Sequence, residues 1–488
     1  MTGSTIVHAS LLGLFVGGYL TTCDHFRGVP VEFLALTLIG VTLSLWTLAV
    51  LMSDVRGRLA AWLIFVGFLG CYYLKFYLIV SWPDLMKFAP LPMALSPAVL
   101  SPDNLIRVYE FITLAFGALC IAEVAFYSCY TANIAPPKVL LSRLAFRVAA
   151  TTAIALSVLT SALVFHYGMV MGTAVTETLP FHLRGIVTLS RETLIPMLLL
   201  LLFQYAVEGK RRGLIGGTLV FILLYGLSMV VLEATKGGLG YTILMAALIP
   251  VLLGYTVRLR TIAGTILVLI LSVAVFFPFV GAFRNERGSG LSLSESMELV
   301  HPSDVLSEDP WLPVKYLTMR LTGADALAVL VSADRRPLGI AFWRATDRYK
   351  WGVGGYMTEE IFQVNPELDE LGIWAVAPSL LGFFFAIEGP GGIVVGMFFF
   401  TVGALFLWEW IRRRNFASGP AIEAVLLKFL LGALTDGTLQ LLLRNDLTTI
   451  TASASLVETI ARSGNQEKPI STGPLPAQVL RNRRGTMP

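Results

Sequence analysis

Five cations stand alone beside or within apolar runs of this sequence. They are Arg191 in Leu189-Ser-Arg-Glu-Thr193, Lys236 in Ala234-Thr-Lys-Gly-Gly-Leu-Gly240, Arg284 in Ala282-Phe-Arg-Asn-Glu-Arg287, Arg320 in the stretch Trp311 to Val331, and Arg444 in Leu443-Arg-Asn-Asp446. Such residues suit the holding of an anionic group, for example a lipid pyrophosphate, at a membrane boundary. Arginine fits because its planar fork bonds two phosphate oxygens at once and stays charged. The plain alternative is local pairing: Arg191 with Glu192, Arg284 with Glu286, Arg444 with Asp446. Adjacent residues do not face one another on a helix, so those pairs would have to form in loops. Arg320 makes the stronger case, because an unpaired charge in an apolar segment is costly. Asp325, five residues on, lies about 140° round a helix from it and is a weak partner. Gly237, Gly238 and Gly240 next to Lys236 permit a tight turn that could cradle phosphate or let two helices pack closely. The P-loop spacing is absent.

Two of these cations, Arg284 and Arg320, lie in an unusual segment. Ala282 to Leu371 carries fourteen Asp/Glu and nine Lys/Arg, a net charge of −5, while the rest of the chain sums to +9. Within it Trp343, Tyr349, Trp351 and Tyr356 interleave with Arg344, Asp347, Arg348 and Lys350. Aromatic faces beside charged groups suit sugar rings, which have apolar C–H faces and polar edges; an interfacial aromatic belt needs no ligand. Glu359, Glu360, Asp369 and Glu370 are candidates for a general base acting on a sugar hydroxyl, or a solvated loop face. Lys75, Glu110, Glu123 and Glu388 lie in or beside apolar runs, where ionisable groups are functional candidates or helix-pairing devices. The five histidines (8, 25, 166, 182, 301) and four cysteines (23, 71, 120, 129) show no ligand spacing. No metal or other cofactor is expected, and nothing suggests a nucleic-acid partner.

The elements that must position these residues are membrane helices. Of 488 residues 56% are hydrophobic and 14% charged, with a mean hydropathy of +0.74; a soluble chain carries about a quarter charged. Apolar runs of membrane-crossing length fall at 6–22, 31–53, 58–80, 105–130, 144–168, 188–207, 213–233, 238–257 and 260–281, then at 389–411 and 421–443, with a weak run at 446–461. The fold expected is all-α: a polytopic membrane bundle of about twelve spans with one large outer-side loop. Basic residues cluster in alternate loops (Arg56 and Arg58; Lys138 and Arg143; Lys210 to Arg212; Arg258 and Arg260), which puts those loops and both termini in the cytoplasm. Crossing by both 372–387 and 389–411 would leave Arg412, Arg413 and Arg414 outside, so 372–387 is expected to be re-entrant or interfacial, packed on protein. The divisions are an N-terminal bundle (1–281), a large outer loop (282–388), C-terminal spans (389–462) and a polar, basic, disordered tail (463–488).

The pattern resembles the Wzy-type oligosaccharide repeat-unit polymerases. The resemblance rests on Thr235-Lys-Gly-Gly-Leu-Gly240 between spans and on Phe283-Arg284 opening the outer loop. It rests also on Arg320-Leu-Thr-Gly323, and on Ala377-Pro-Ser-Leu-Leu-Gly382 leading to Glu388-Gly-Pro-Gly-Gly392. It covers roughly residues 190–450; Pro390 stands where a glycine is usual and the weak last span is atypical. It implies a membrane-embedded (GT-C-like) glycosyltransferase of the bacterial inner membrane, independent of metal and nucleotide. Its substrate would be an undecaprenyl-pyrophosphate-linked oligosaccharide, and a chain-length regulator and a flippase would be its partners besides membrane lipid. By the resemblance Arg284 and Arg320 offset charge on the leaving pyrophosphate, with Lys236, Arg191 and Arg444 assisting and Arg348 and Tyr356 toward the glycan. An O-antigen ligase shares the layout but needs a loop histidine, and only His301 is available. A secondary transporter would predict internal repeats, which are absent from the sequence; an assembly subunit of a polysaccharide export system is the remaining alternative, and retained activity after replacing Arg284 and Arg320 would favour it.

Overall fold

The computed structural model describes residues 3–55, 57–83, 97–129, 141–167, 183–233, 238–255, 323–333, 379–414, 416–436 and 447–463, together with 264, 295, 298 and 339. Every regular element among them is helical. In chain order these are α1 (Gly3–Thr22), α2 (Pro30–Leu51), α3 (Leu59–Ser81), α4 (Pro102–Cys129), α5 (Arg143–His166) and α6, which runs from Leu183 to Glu208. They continue with α7 (Arg212–Glu233), α8 (Gly238–Leu252), α9 (Ala324–Ser332), α10 (Leu380–Arg413), α11 (Gly419–Asp436) and α12 (Leu447–Arg462). Eight of the described helices are long and apolar enough to cross a membrane: α1 to α7 and α10. The runs expected at 238–257, 421–443 and 446–461 appear as the shorter α8, α11 and α12; most of 260–281 lies outside the described residues. Large apolar side chains such as Val158 (65% exposed) and Phe399 (67%) face outward. Such a surface is a liability in water and natural against lipid.

Contacts between helix ends fix which ends lie together. Arg412 Nη1 donates to the Gly57 carbonyl at 3.0 Å, Gln204 Nε2 to the Ala417 carbonyl at 2.9 Å and Ser142 Oγ to the Ser463 carbonyl at 2.8 Å. Arg58, Arg143, Lys210, Arg211, Arg212, Arg412, Arg413, Arg414 and Arg462 therefore gather at one end, called here the basic end. Thr21, Ser81, His25, Leu100 and Asn104 meet α9 and one another at the other, through Ser81 Oγ to Thr21 O (3.4 Å), His25 Nε2 with Leu100 O (3.2 Å) and Asn104 Nδ2 to Ala328 O (3.1 Å). At the basic end Glu458 of α12 caps the start of α11. Its carboxylate accepts from the Ala417 and Ser418 amides (both 3.0 Å), from Ser418 Oγ (2.7 Å) and from Arg462 Nε (2.6 Å). An anion there meets orphan N–H groups and the positive end of the helix dipole.

α10 is two arms rather than one rod. Glu388 (φ −138°, ψ 23°) leaves the helical region, and Gly389 takes φ 61°, ψ −144°, a conformation closed to residues with a side chain. Phe384 then lies against the second arm. A Cβ built on Gly392 would sit 2.4 Å from the Phe384 carbonyl oxygen, and one on Gly396 2.4 Å from the Phe384 ring. In a straight helix residues 384 and 396 would be about 18 Å apart along the axis. The short arm (380–387) thus returns along the long one (390–413), and its N-terminus points into the bundle, among the buried residues Leu380 to Phe384. Residues 372–378, the rest of the expected re-entrant run, lie outside the described residues.

The charged segment also contributes to the core. α9 is buried from Ala324 to Leu330 and packs against α3, α4 and the arms of α10. The sequence puts this piece in the large charged segment, expected to carry amphipathic or re-entrant helices; it lies within the bundle, because seven consecutive positions, small or apolar apart from Asp325, have nothing to gain from solvent. In a cysteine-free protein, single cysteines replacing Ser53 and Ser463 will be labelled by a membrane-impermeant maleimide from one side of a sealed vesicle, and one replacing Ala98 from the other. Labelling of all three from the same side would refute this arrangement of ends.

Candidate functional site

Two of the described helices carry a π segment, and each turns a cation inward. An extra residue per turn rotates the downstream side chains and frees carbonyls, which is why such segments recur at functional sites. In α3 the segment is Leu69–Leu74, followed at once by Lys75. In α6 it is Ser190–Leu194, and it contains Arg191.

Lys75 is fully buried, and its ammonium lies 3.6 Å from Asp325 Oδ2 of α9, itself 7% exposed. The other oxygen, Oδ1, accepts from the Gly323 amide at 3.0 Å and so holds the start of α9. Gly323 is required by space: a Cβ there would meet the Cys71 carbonyl oxygen of the π segment at 2.3 Å. Beside it, the Tyr72 hydroxyl accepts from the Leu381 amide (3.3 Å) and donates to the Leu434 carbonyl of α11 (3.2 Å). Ser379, held at φ 61°, caps the short arm by accepting from the Gly382 amide at 3.2 Å. The π segment of α3, the start of α9, the N-terminus of the re-entrant arm and the end of α11 thus converge. The result is a buried region with a positive helix end, a cation and a carboxylate, a setting suited to orienting an anionic group.

Arg191 is likewise fully buried, and every nitrogen of its fork is engaged. It pairs with Glu233 of α7 and donates to Ser161 Oγ (2.8 Å), Thr160 Oγ1 (3.5 Å) and Ser228 Oγ (3.2 Å). Its guanidinium carbon lies 5.7 Å from the Tyr225 ring, and the Tyr225 hydroxyl donates to the Arg191 carbonyl. Pro196 has no N–H to give the carbonyl four residues back, so the Glu192 carbonyl is free to accept from Lys428 Nζ of α11 at 3.1 Å. The structure therefore makes Arg191 an internal clamp on α5, α6 and α7, each of its three nitrogens already meeting a protein oxygen. Its acidic partner is Glu233, not the neighbouring Glu192.

Of the other residues singled out in the sequence, Arg284, Arg320, Lys236, Arg444, Arg348 and Tyr356 lie outside the described residues. Lys75 has the buried role just given; Glu110 and Glu388 are exposed. Glu123 is fully buried on α4. Among the described residues no group of three or more His, Cys, Asp or Glu is set to hold a metal ion. The sequence did not signal Tyr72, Ser379 or Glu233. The one available cue was Glu233 ending a span three residues before Lys236. Searches against protein-family models, characterised proteins and solved structures return no match to this chain.

The Lys75–Asp325 pair yields a stability test. Lys75→Met or Asp325→Asn breaks this buried pair and should cost about 3–5 kcal/mol, whereas the double variant, which keeps the Oδ1 acceptor, should recover most of it. Thermal unfolding in detergent of the four proteins measures this; additive losses would mean the two charges do not interact.

Proposed function

We propose that the chain is a membrane-embedded glycosyltransferase that polymerises undecaprenyl-pyrophosphate-linked oligosaccharide repeat units at the outer face of a bacterial inner membrane. One observation carries the reading. The charged, aromatic-rich segment enters the bundle as α9, is pinned there by Lys75–Asp325, and meets a re-entrant helix end of positive polarity. A loop acting on a lipid-linked pyrophosphate needs such an anchorage at the membrane boundary, and Gly323 closes the Arg320-Leu-Thr-Gly323 motif. Three residues of chain reach at most about 11 Å.

In this reading the hydroxyl at the non-reducing end of one lipid-linked repeat attacks the anomeric carbon of the other glycan. A new C–O bond forms, the bond to undecaprenyl pyrophosphate breaks, and the electron pair leaves with the pyrophosphate. A carboxylate of the charged segment takes the hydroxyl proton. Arg284 and Arg320 stabilise the charge developing on the leaving group, and Lys236 and Arg444 assist. Arg348 and Tyr356 contact the glycan. Arg191, buried among its own partners, acts by positioning α5 to α7.

A second reading has an observation of its own. A broken helix with its end inside the bundle is also how secondary transporters bind ions and substrates. Purified protein in lipid, given lipid-linked repeat units with EDTA and no nucleotide, should yield a ladder of products that Arg320→Ala reduces at least about a hundredfold while leaving the unfolding midpoint unchanged. The absence of any ladder with the native repeat would count against polymerisation and favour transport.

A further inference from the structure

The basic half of the bundle contains a set of buried polar atoms that the glycosyl-transfer reading does not use. Glu123 of α4 is fully buried, and neither carboxylate oxygen has a hydrogen-bond partner. One turn on, the Tyr127 hydroxyl is buried and also lacks a partner. Long helical side chains lean toward the N-terminus, so Tyr127 reaches back over the face that carries Glu123. One turn before, the Cys120 thiol sits against Thr47 of α2, and a turn along α2 the buried Ser44 Oγ is without a partner too. From α10, Glu409, whose Oε2 is buried and without a hydrogen-bond partner, lies in the electrostatic reach of Tyr127. Tyr127 stands in the field of Glu123, Glu409, Arg58 and Arg412.

The neighbouring guanidiniums are committed elsewhere. Arg58 donates to the Val50 carbonyl and lies over the Tyr127 ring at 4.6 Å. Arg412 bonds the Gly57 carbonyl (3.0 Å) and Glu409 Oε1 (3.2 Å). Among the described residues, then, no protein cation meets Glu123. A buried carboxylate with no donor is among the costliest groups a fold can hold. Protonation alone does not resolve this, since it leaves a hydroxyl without an acceptor and a carbonyl without a donor. A small cation does, because it draws several oxygens to itself at once. The donors are a carboxylate and hydroxyls, with a single thiol at the edge, which is the chemistry of a hard ion rather than a thiophilic metal. One carboxylate matches a single positive charge.

We propose that Glu123, with the Thr47 and Tyr127 hydroxyls, forms a binding site for a monovalent metal cation, sodium or potassium, in the seam between α2, α4 and α10. The site lies in the half of the bundle opposite Lys75 and the re-entrant arm, so it stands whatever substrate the other half takes. A bound ion would tie α4 to α2, and through Tyr127 to the basic end of α10.

The test is ion-dependent stability of the full-length protein in nanodiscs, at constant ionic strength, in sodium, potassium or choline chloride, with radioactive sodium binding measured alongside. The native protein should show a midpoint that rises saturably with sodium or potassium and not with choline. Glu123→Gln should elute as the same folded species and lose both the response and the binding; Thr47→Val should weaken the apparent affinity about tenfold. Identical behaviour in all three salts, or a native response kept by Glu123→Gln, would overturn the site. If Glu123→Gln does not fold, an unaltered ion response in Thr47→Val overturns it instead.

Discussion

A single hydroxyl, that of Tyr72, holds together the part of the fold that departs from ordinary spans. It accepts from the Leu381 amide at the start of the re-entrant arm and donates to the Leu434 carbonyl near the end of α11. Non-helical backbone survives at membrane depth only where protein supplies its hydrogen bonds. Tyr72, the Ser379 cap and the Asp325–Gly323 bond supply them here. Without that satisfaction the arm would have no reason to end inside the bundle, and α9 would have no fixed start. The π segment that carries Tyr72 also directs Lys75 to Asp325, so one irregularity in α3 serves three neighbours.

The second π segment repeats the device with a different outcome. Around Arg191 each nitrogen of the fork meets an oxygen of the bundle, and the result is a three-helix unit of α5, α6 and α7. α11 joins the two regions: Lys428 meets the Glu192 carbonyl and Leu434 meets Tyr72. A buried ion pair adds little net stability over an apolar replacement but penalises any other arrangement heavily. Two such pairs, both contacting elements that touch α11, would fix how the half of the bundle opposite the basic end is assembled.

Much of this was legible in the sequence. α1 to α7 fall within a few residues of the apolar runs, because about 20 apolar residues have no other stable use. The gathering of Arg58, Arg143, Lys210 and Arg412 at one end follows from their alternation along the chain. The break at Glu388-Gly389 was visible as Gly389-Pro-Gly-Gly392, and the charge conflict at Arg412 to Arg414 required that something near 372–387 not cross. What could not be read were partners. Arg191 finds Glu233 and Lys75 finds Asp325 through tertiary contacts that no local spacing encodes. Ser190-Arg-Glu-Thr193 stands out as a polar run in an apolar helix, but nothing in either segment's sequence specifies the π geometry. The burial of α9 was hidden for a related reason: its apolar stretch is too short to read as a span, and charges on either side mark it as loop.

The fold-back of the short arm onto the long one is the claim on which the half of the bundle opposite the basic end depends, and it can be measured directly. Cysteines replacing Phe384 and Gly396 in a cysteine-free protein, treated with a short bifunctional thiol reagent in native membranes, should cross-link efficiently within one chain, while a pair at Phe384 and Leu405 should not. Failure of the first pair to react, with both thiols shown to be present and accessible to the reagent, would mean that residues 380–413 form one straight helix. The re-entrant end, and the convergence built on it, would then be wrong.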